Sequence, residues 1–176
     1  MAIEFELVSS IPLPAASGIT ALYNAADLSD AFAVWLPAGT SNNPELLARF
    51  IFANQPSWIA WLMKMRDLIV ACFGLKTGKH LATLGNRVGI FKVYSTNQNE
   101  IVLGEDDKHL DFRISILLSA PSQPNGNHQL VVSSVVHCHN RLGRTYLFII
   151  TPFHRMVVKA SLRRAARLGW PMASEV

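Results

Sequence analysis

Apolar and polar positions along the chain change their period twice, and the two changes lay out the elements. Asp30-Ala-Phe-Ala-Val-Trp-Leu-Pro37 has aromatic and branched residues through a run of four or five that stops at Pro37 and Gly39, which predicts a first strand. Asn43-Pro44-Glu45 then starts a helix: Asn caps, Pro at the first helical position sacrifices no hydrogen bond, and Glu suits the positive end of the helix dipole. This helix runs to about Asn54. The chain restarts at Gln55-Pro56-Ser57, and Trp58, Leu62, Met65, Ile69 and Cys72 recur at steps of four and three, predicting a second helix that ends at Gly74.

Beyond a connection rich in Gly, Lys and Asn the period becomes that of strands: Val88 to Thr96, Glu100 to Leu103, His109 to Ser119 and Gln129 to Asn140. The last two form a hairpin around Pro121-Ser-Gln-Pro-Asn-Gly-Asn127, with opposed residue numbers summing to about 248 to 250. That register predicts a core face of Leu110, Phe112, Ile114, Ile116 and Leu118 against Leu130, Val132, Val136 and Cys138. The opposite face carries His109, Asp111, Arg113 and Ser115 against Ser133, Val135, His137 and His139, and is expected to meet solvent. From Arg141 to about Leu168 the helical period returns, predicting one long helix that Pro152 kinks or splits. Residues 1–26, with Pro12, Pro14 and Gly18, read as an irregular lead-in.

Strand, two helices, antiparallel strands and a long closing helix make an α+β chain, read as one domain over residues 1–176. The 176 residues supply one sizeable core, and half of them are apolar. This excludes a disordered or low-complexity protein. Cys72 and Cys138 sit in apolar strings without zinc or redox spacing and read as free thiols of a reducing compartment. No stretch reaches the ~20 apolar residues of a spanning helix, and the acidic start Met1-Ala-Ile-Glu-Phe-Glu6 does not suit a secretory signal; the expectation is cytoplasmic. Charge is uneven: residues 141–176 hold seven bases and one acid, residues 1–140 nine bases and eleven acids.

The element order resembles the helix-grip topology of START and pollen-allergen-type (SRPBCC) proteins: a curved antiparallel sheet wrapped around a long C-terminal helix, with two helices after the first strand. That resemblance implies an apolar cavity between sheet and helix. A second resemblance is carried by local strings: Met65-Arg-Asp67, Phe73-Gly-Leu-Lys-Thr77, Gly104-Glu-Asp-Asp-Lys-His-Leu-Asp-Phe-Arg113, His139-Asn-Arg-Leu-Gly-Arg144 followed by Tyr146, and Pro152-Phe-His-Arg155. Together, over roughly residues 25–168, these resemble the bacterial domain family of unknown function number 2867. Members of that family also occur fused to dehydrogenase-like nicotinamide-cofactor-binding domains. The fused arrangement implies a module that docks onto a dehydrogenase-like partner, although this chain has no Gly-x-Gly-x-x-Gly after a strand. The resemblance supplies no catalytic residue.

Ligand chemistry is therefore sought in the side chains. Trp58, Met65, Phe112, Tyr146 and Phe153 are the candidates to line a cavity for a small apolar or amphipathic molecule, with Arg144 placed to pair a ligand carboxylate. Trp61 and Met63 accompany them on the second helix, and His154 shares the last helix with Tyr146. A cavity enzyme of cyclase, isomerase or hydrolase type is the rival, with His109 oriented by Asp111 as its acid/base pair. The turn alternative has Asp106 and Asp107 bonding their own backbone while Arg113 neutralises Asp111. His137-x-His139 beside His109 and Asp111 has the composition of a zinc or iron cluster, but no second shell is visible and no metal or other cofactor is assigned.

Two further motifs fall away or stay open. Gly74-Leu-Lys-Thr-Gly78-Lys-His80 fails as a phosphate loop in both spacing and closing residue. Arg155, Lys159, Arg163 and Arg167, four apart, form a basic stripe that solvent screens or that meets an anionic membrane surface. Without interleaved aromatics the stripe does not suit nucleic acid.

Overall fold

The computed structural model describes residues 7–72, 86–119 and 127–173, with the backbone alone for 65–72. The elements are β1 (Ser9–Ile11), β2 (Leu28–Trp35), α1 (Pro44–Ala53), α2 (Ser57–Cys72), β3 (Arg87–Val88), β4 (Phe91–Thr96), β5 (Glu100–Asp106), β6 (Leu110–Ser119), β7 (Gln129–Cys138) and α3 (Arg141–Leu168). The fold is α+β: a curved, seven-stranded antiparallel sheet in the order β1-β2-β7-β6-β5-β4-β3, two helices between β2 and β3, and a long C-terminal helix.

The predicted elements are present, with altered bounds. Asn43 caps α1 by accepting from the amides of Glu45 at 2.9 Å and Leu46 at 3.2 Å. The expected strand over 88–96 is two strands, because Gly89 turns the chain at φ +61° between β3 and β4. β5 extends to Asp106, three residues beyond expectation, and pairs with β6 down to Asp106↔Asp111. The β6–β7 register runs from Leu110↔Cys138 to Ser119↔Gln129, within the predicted pairing. The hairpin loop 120–126 and the segment 73–85, with the strings and motifs assigned to them, lie outside the described residues.

One face of the sheet behaves as its alternation requires. Phe32, Val34, Ile101, Leu103, Ile116, Leu118, Leu130 and Val132 are buried with Leu47, Ala48 and Ile51 of α1 and Leu162 and Ala165 of α3. A second cluster under the start of α3 holds Leu28, Leu110, Val136, Cys138 and Leu147. Behind α3 the chain returns to the loop after β2: Ser41 N donates to Pro171 O at 2.8 Å and Ala173 N to Gly39 O at 2.9 Å. Trp170 is thereby set against Phe50 and buried in the main core.

The other face departs from expectation. It does not simply meet solvent: Ser115 and Ser133 are 0% exposed and Val135 3%. The cause is the lead-in segment, which is neither irregular throughout nor idle. Ser9–Ile11 adds β1 to the sheet edge, and Ile11, Leu13, Ile19 and Tyr23 cover Ala31, Ala33, Val102, Leu117, Val131 and Val135. Burying that second apolar set on the outer face stabilises the sheet by the same area-proportional term as the inner core.

α3 is a single helix of 28 residues with Pro152 inside it, not two helices. Pro152 cannot donate to the carbonyl of Phe148. Phe148 is 83% exposed, on the outward side of the helix, and α3 runs on through the interruption without a break.

Candidate functional site

The residues singled out in the sequence separate onto the two faces. Along β6, Phe112 points toward α3, whereas Asp111 and Arg113 lie on the face turned away from it. Asp111 and Tyr146 therefore lie on opposite sides of the sheet.

On the outer face a polar group closes the sheet end beyond the lead-in segment. Asp111 meets His139, Nε2 to Oδ2 at 3.0 Å, rather than His109. His109 turns its Nδ1 to the side-chain amide of Asn140, because its position in the β5–β6 turn faces the N-terminus of α3. Arg113 pairs with Asp106 at 2.7 Å, rather than with Asp111, and stacks over the Tyr94 ring at 3.6 Å. Tyr94 donates to Asp106 Oδ2 at 2.7 Å. Burial and this hydrogen bond raise the Tyr94 hydroxyl well above an ordinary phenol. Burial pushes Asp106 up, but Arg113 and Tyr94 outweigh it and hold the carboxyl below its ordinary range.

His137 stacks on Tyr23, itself raised by burial, with centroids 5.4 Å apart, and meets His139 edge-on at 5.5 Å. The two imidazoles thus turn to different partners instead of converging. Among the described residues no three His, Cys, Asp or Glu side chains lie close enough together to hold a metal ion.

Asp27, unremarked in the sequence, ties this edge to α3. Its Oδ2 accepts from the amide of Cys138 at 2.7 Å and its Oδ1 from Arg144 Nε at 3.2 Å. The Cys138 amide and then Arg144 hold the Asp27 carboxyl below its usual range despite burial. Arg144 therefore points to the β2 side of α3, not into the space between helix and sheet. The Cys138 thiol is pushed up to about 11 by burial and by Asp27, an inert thiol rather than a nucleophile.

On the inner face, aromatic rings form a connected run. Phe52 of α1 packs on Phe91 with centroids 5.2 Å apart, and Phe91 meets Phe112 edge-on at 5.7 Å. Phe112 and Tyr146 both pack against the Leu28–Leu110–Val136 cluster. All four rings are half-buried, as is Ile114 beside them. Glu105, opposite Phe112 in the register, pairs with Arg87 at 3.2 Å, both side chains mostly covered. Tyr146, Ile150, Phe153 and Val157 follow one another on the flank of α3 opposite Arg144 and Arg155. Trp58 and Trp61 are exposed on α2, and the Met65 side chain lies outside the described residues.

Beneath α3, Asp30 is 7% exposed between the two inner clusters and meets His154 Nε2 and Arg155 Nε, each at 3.4 Å. The basic stripe is accordingly not one surface: Arg155 turns to Asp30, Lys159 lies over the Phe32 ring at 5.3 Å, and Arg163 and Arg167 stay exposed. Sequence reasoning missed Asp30 because it sits inside an apolar strand string; the alternation that places Leu28 and Phe32 inward places it inward too. A shallow cleft of about 390 Å³ lies between the Leu36–Asn42 loop and Asn127, His128 and Ala173, and none of the predicted ligand residues lines it.

No curated protein and no solved structure matches this chain. A family model described as "protein of unknown function (DUF2867)" matches residues 22–161, from the end of the lead-in segment through β2, the sheet and most of α3, and the chain belongs to that family.

Proposed function

We propose that the protein binds a small apolar or amphipathic molecule between the inner face of the sheet and α3, on the flank of α3 turned away from β2. The observation that carries this reading is the half-buried aromatic run Phe52–Phe91–Phe112, with half-buried Tyr146 on the same apolar cluster as Phe112. The neighbouring core shows what full packing looks like here: Phe32 is 2% exposed and Leu130 0%. Rings left half-open beside it, with Ile114 on the same strand as Phe112, make a wall whose open side no described residue fills, and an apolar ligand fills it. Phe153 completes the flank from α3, and the Arg87–Glu105 pair gives the wall a polar end. Arg144 and Trp58 drop out of the ligand set on this reading. The helix-grip resemblance points the same way.

The test is titration of the protein with 1-anilinonaphthalene-8-sulfonate followed by fluorescence, beside native mass spectrometry of the freshly purified chain. One saturable site is expected, weakened about tenfold in Phe112→Ala, since one aromatic side chain moved from water contributes ~1.5–3 kcal/mol. Arg163→Gln, on the outward side of α3, leaves it unchanged. Absence of saturable binding, or equal affinity in a folded Phe112→Ala protein, overturns the proposal.

A further inference from the structure

The outward side of α3 has a composition that neither core packing nor the aromatic wall uses. Gly143, Leu147, Ser161, Leu162 and Ala165 mark its buried side. Opposite them, at helical steps, come Arg141, Thr145, Phe148, Ile149, Pro152, Met156, Arg163 and Arg167. Phe148 is 83% exposed, Ile149 56% and Met156 47%. The face is thus apolar in its middle turns and cationic at both ends, and the whole 28-residue helix contains no carboxylate. Exposed apolar side chains scattered singly need no explanation, but four contiguous on one helix face do.

We infer that this face of α3 lies on an anionic bilayer surface. The helix, about 42 Å long, lies along the headgroups with Phe148, Ile149, Pro152 and Met156 entering the interface and Arg141 and Arg163 on lipid phosphates. It does not cross: no helix among the described residues is long and apolar enough to span a membrane. Charge complementarity selects lipid over a second copy of the chain. A two-fold axis through the middle of the stripe sets the Arg141 end of one α3 against the Arg163 end of the other, cation on cation with no carboxylate along either helix. An anionic surface meets both ends with the opposite sign.

Flotation with phosphatidylcholine vesicles, with and without phosphatidylglycerol, tests this on the full chain, alongside sedimentation velocity without vesicles. The protein is expected to float with the phosphatidylglycerol vesicles only, and to be released by high salt. Phe148→Ser, at a position too exposed to matter for folding, lowers the partition about tenfold, and Arg163→Gln about fivefold, the worth of one basic residue near such a surface. Failure to float, equal binding to neutral vesicles, or no effect of Phe148→Ser overturns the inference. So does a dimer in sedimentation that Phe148→Ser dissolves, which assigns the face to a second copy.

Discussion

Glu100 shows how much a single side chain decides on the outer face. Glu100 is 5% exposed and, among the described residues, forms no salt bridge; instead Ser17 Oγ donates at 2.7 Å, Ser115 Oγ at 2.5 Å and the Gly18 amide at 3.0 Å. Two of those donors belong to the lead-in segment, so one acid pins that segment to the sheet. Removing it strands two buried hydroxyls, Ser17 and Ser115, each with a desolvation penalty, and frees the Gly18 amide to water. Glu100→Ala is expected to lower the unfolding free energy by about 3 kcal/mol, read from urea denaturation. A loss below a few tenths would mean the latch contributes nothing.

Asp27 makes a prediction with a sign. Its folded pKa lies below the ordinary ~3.9, held there by the Cys138 amide and Arg144. A depressed carboxylate stabilises the fold above its unfolded pKa, and that stability is lost as pH falls through the folded value. Asp27→Asn is therefore expected to cost about 1–3 kcal/mol near neutrality, with the gap to the parent protein closing below about pH 4. Urea midpoints for both proteins across the acid range check this; a gap independent of pH would assign the cost to shape rather than charge. Neither role was legible from the sequence, because Glu100 reaches the lead-in segment across 83 residues and Asp27 reaches Cys138 across 111.

At the scale of elements, local rules carried most of the way. The cap at Asn43, the stop at Pro37 and the alternation through β6 and β7 each act within a few residues, so the sequence states them openly. What local rules could not state is which neighbour a side chain chooses. Asp111 had His109 and Arg113 two residues away on either side and pairs with His139 across the strands instead. The junction of α3 with the sheet is similarly a matter of contact. A methyl group at Gly143 would lie 2.2 Å from the carbonyl oxygen of His109, so only glycine lets the first turn of α3 lie against the β5–β6 turn. Both Gly143 and His109 stand in the strings that carry the family resemblance, and their close approach gives those strings a steric reason.

For the whole molecule, the sequence predicted a sheet gripping a helix and left its reverse side to water. Periodicity identified the inner face because the helices that cover it have a helical signature of their own. A covering segment made mostly of turns, with prolines at 12 and 14, has no such signature, and its apolar residues looked scattered. The aromatic run of the inner face was half legible: Phe112 and Tyr146 stand out in the sequence, but Phe52 and Phe91 join Phe112 only through α1 and the short β3–β4 turn.

The pairing of β2 with β7 also bears on how the chain comes together. From β3 to β7 every strand pairs with the next, so those hairpins can zip in succession, while β2 must meet a strand about a hundred residues further along. Closing that loop costs entropy that no local contact offsets beforehand. The lead-in segment, laid partly over β2, can settle only afterwards. The outer layer should accordingly be the last assembled and the first to open, with the Gly18 amide exchanging its hydrogen well before those of Ile116 and Val132. Equal protection at all three would show the molecule opening as one unit.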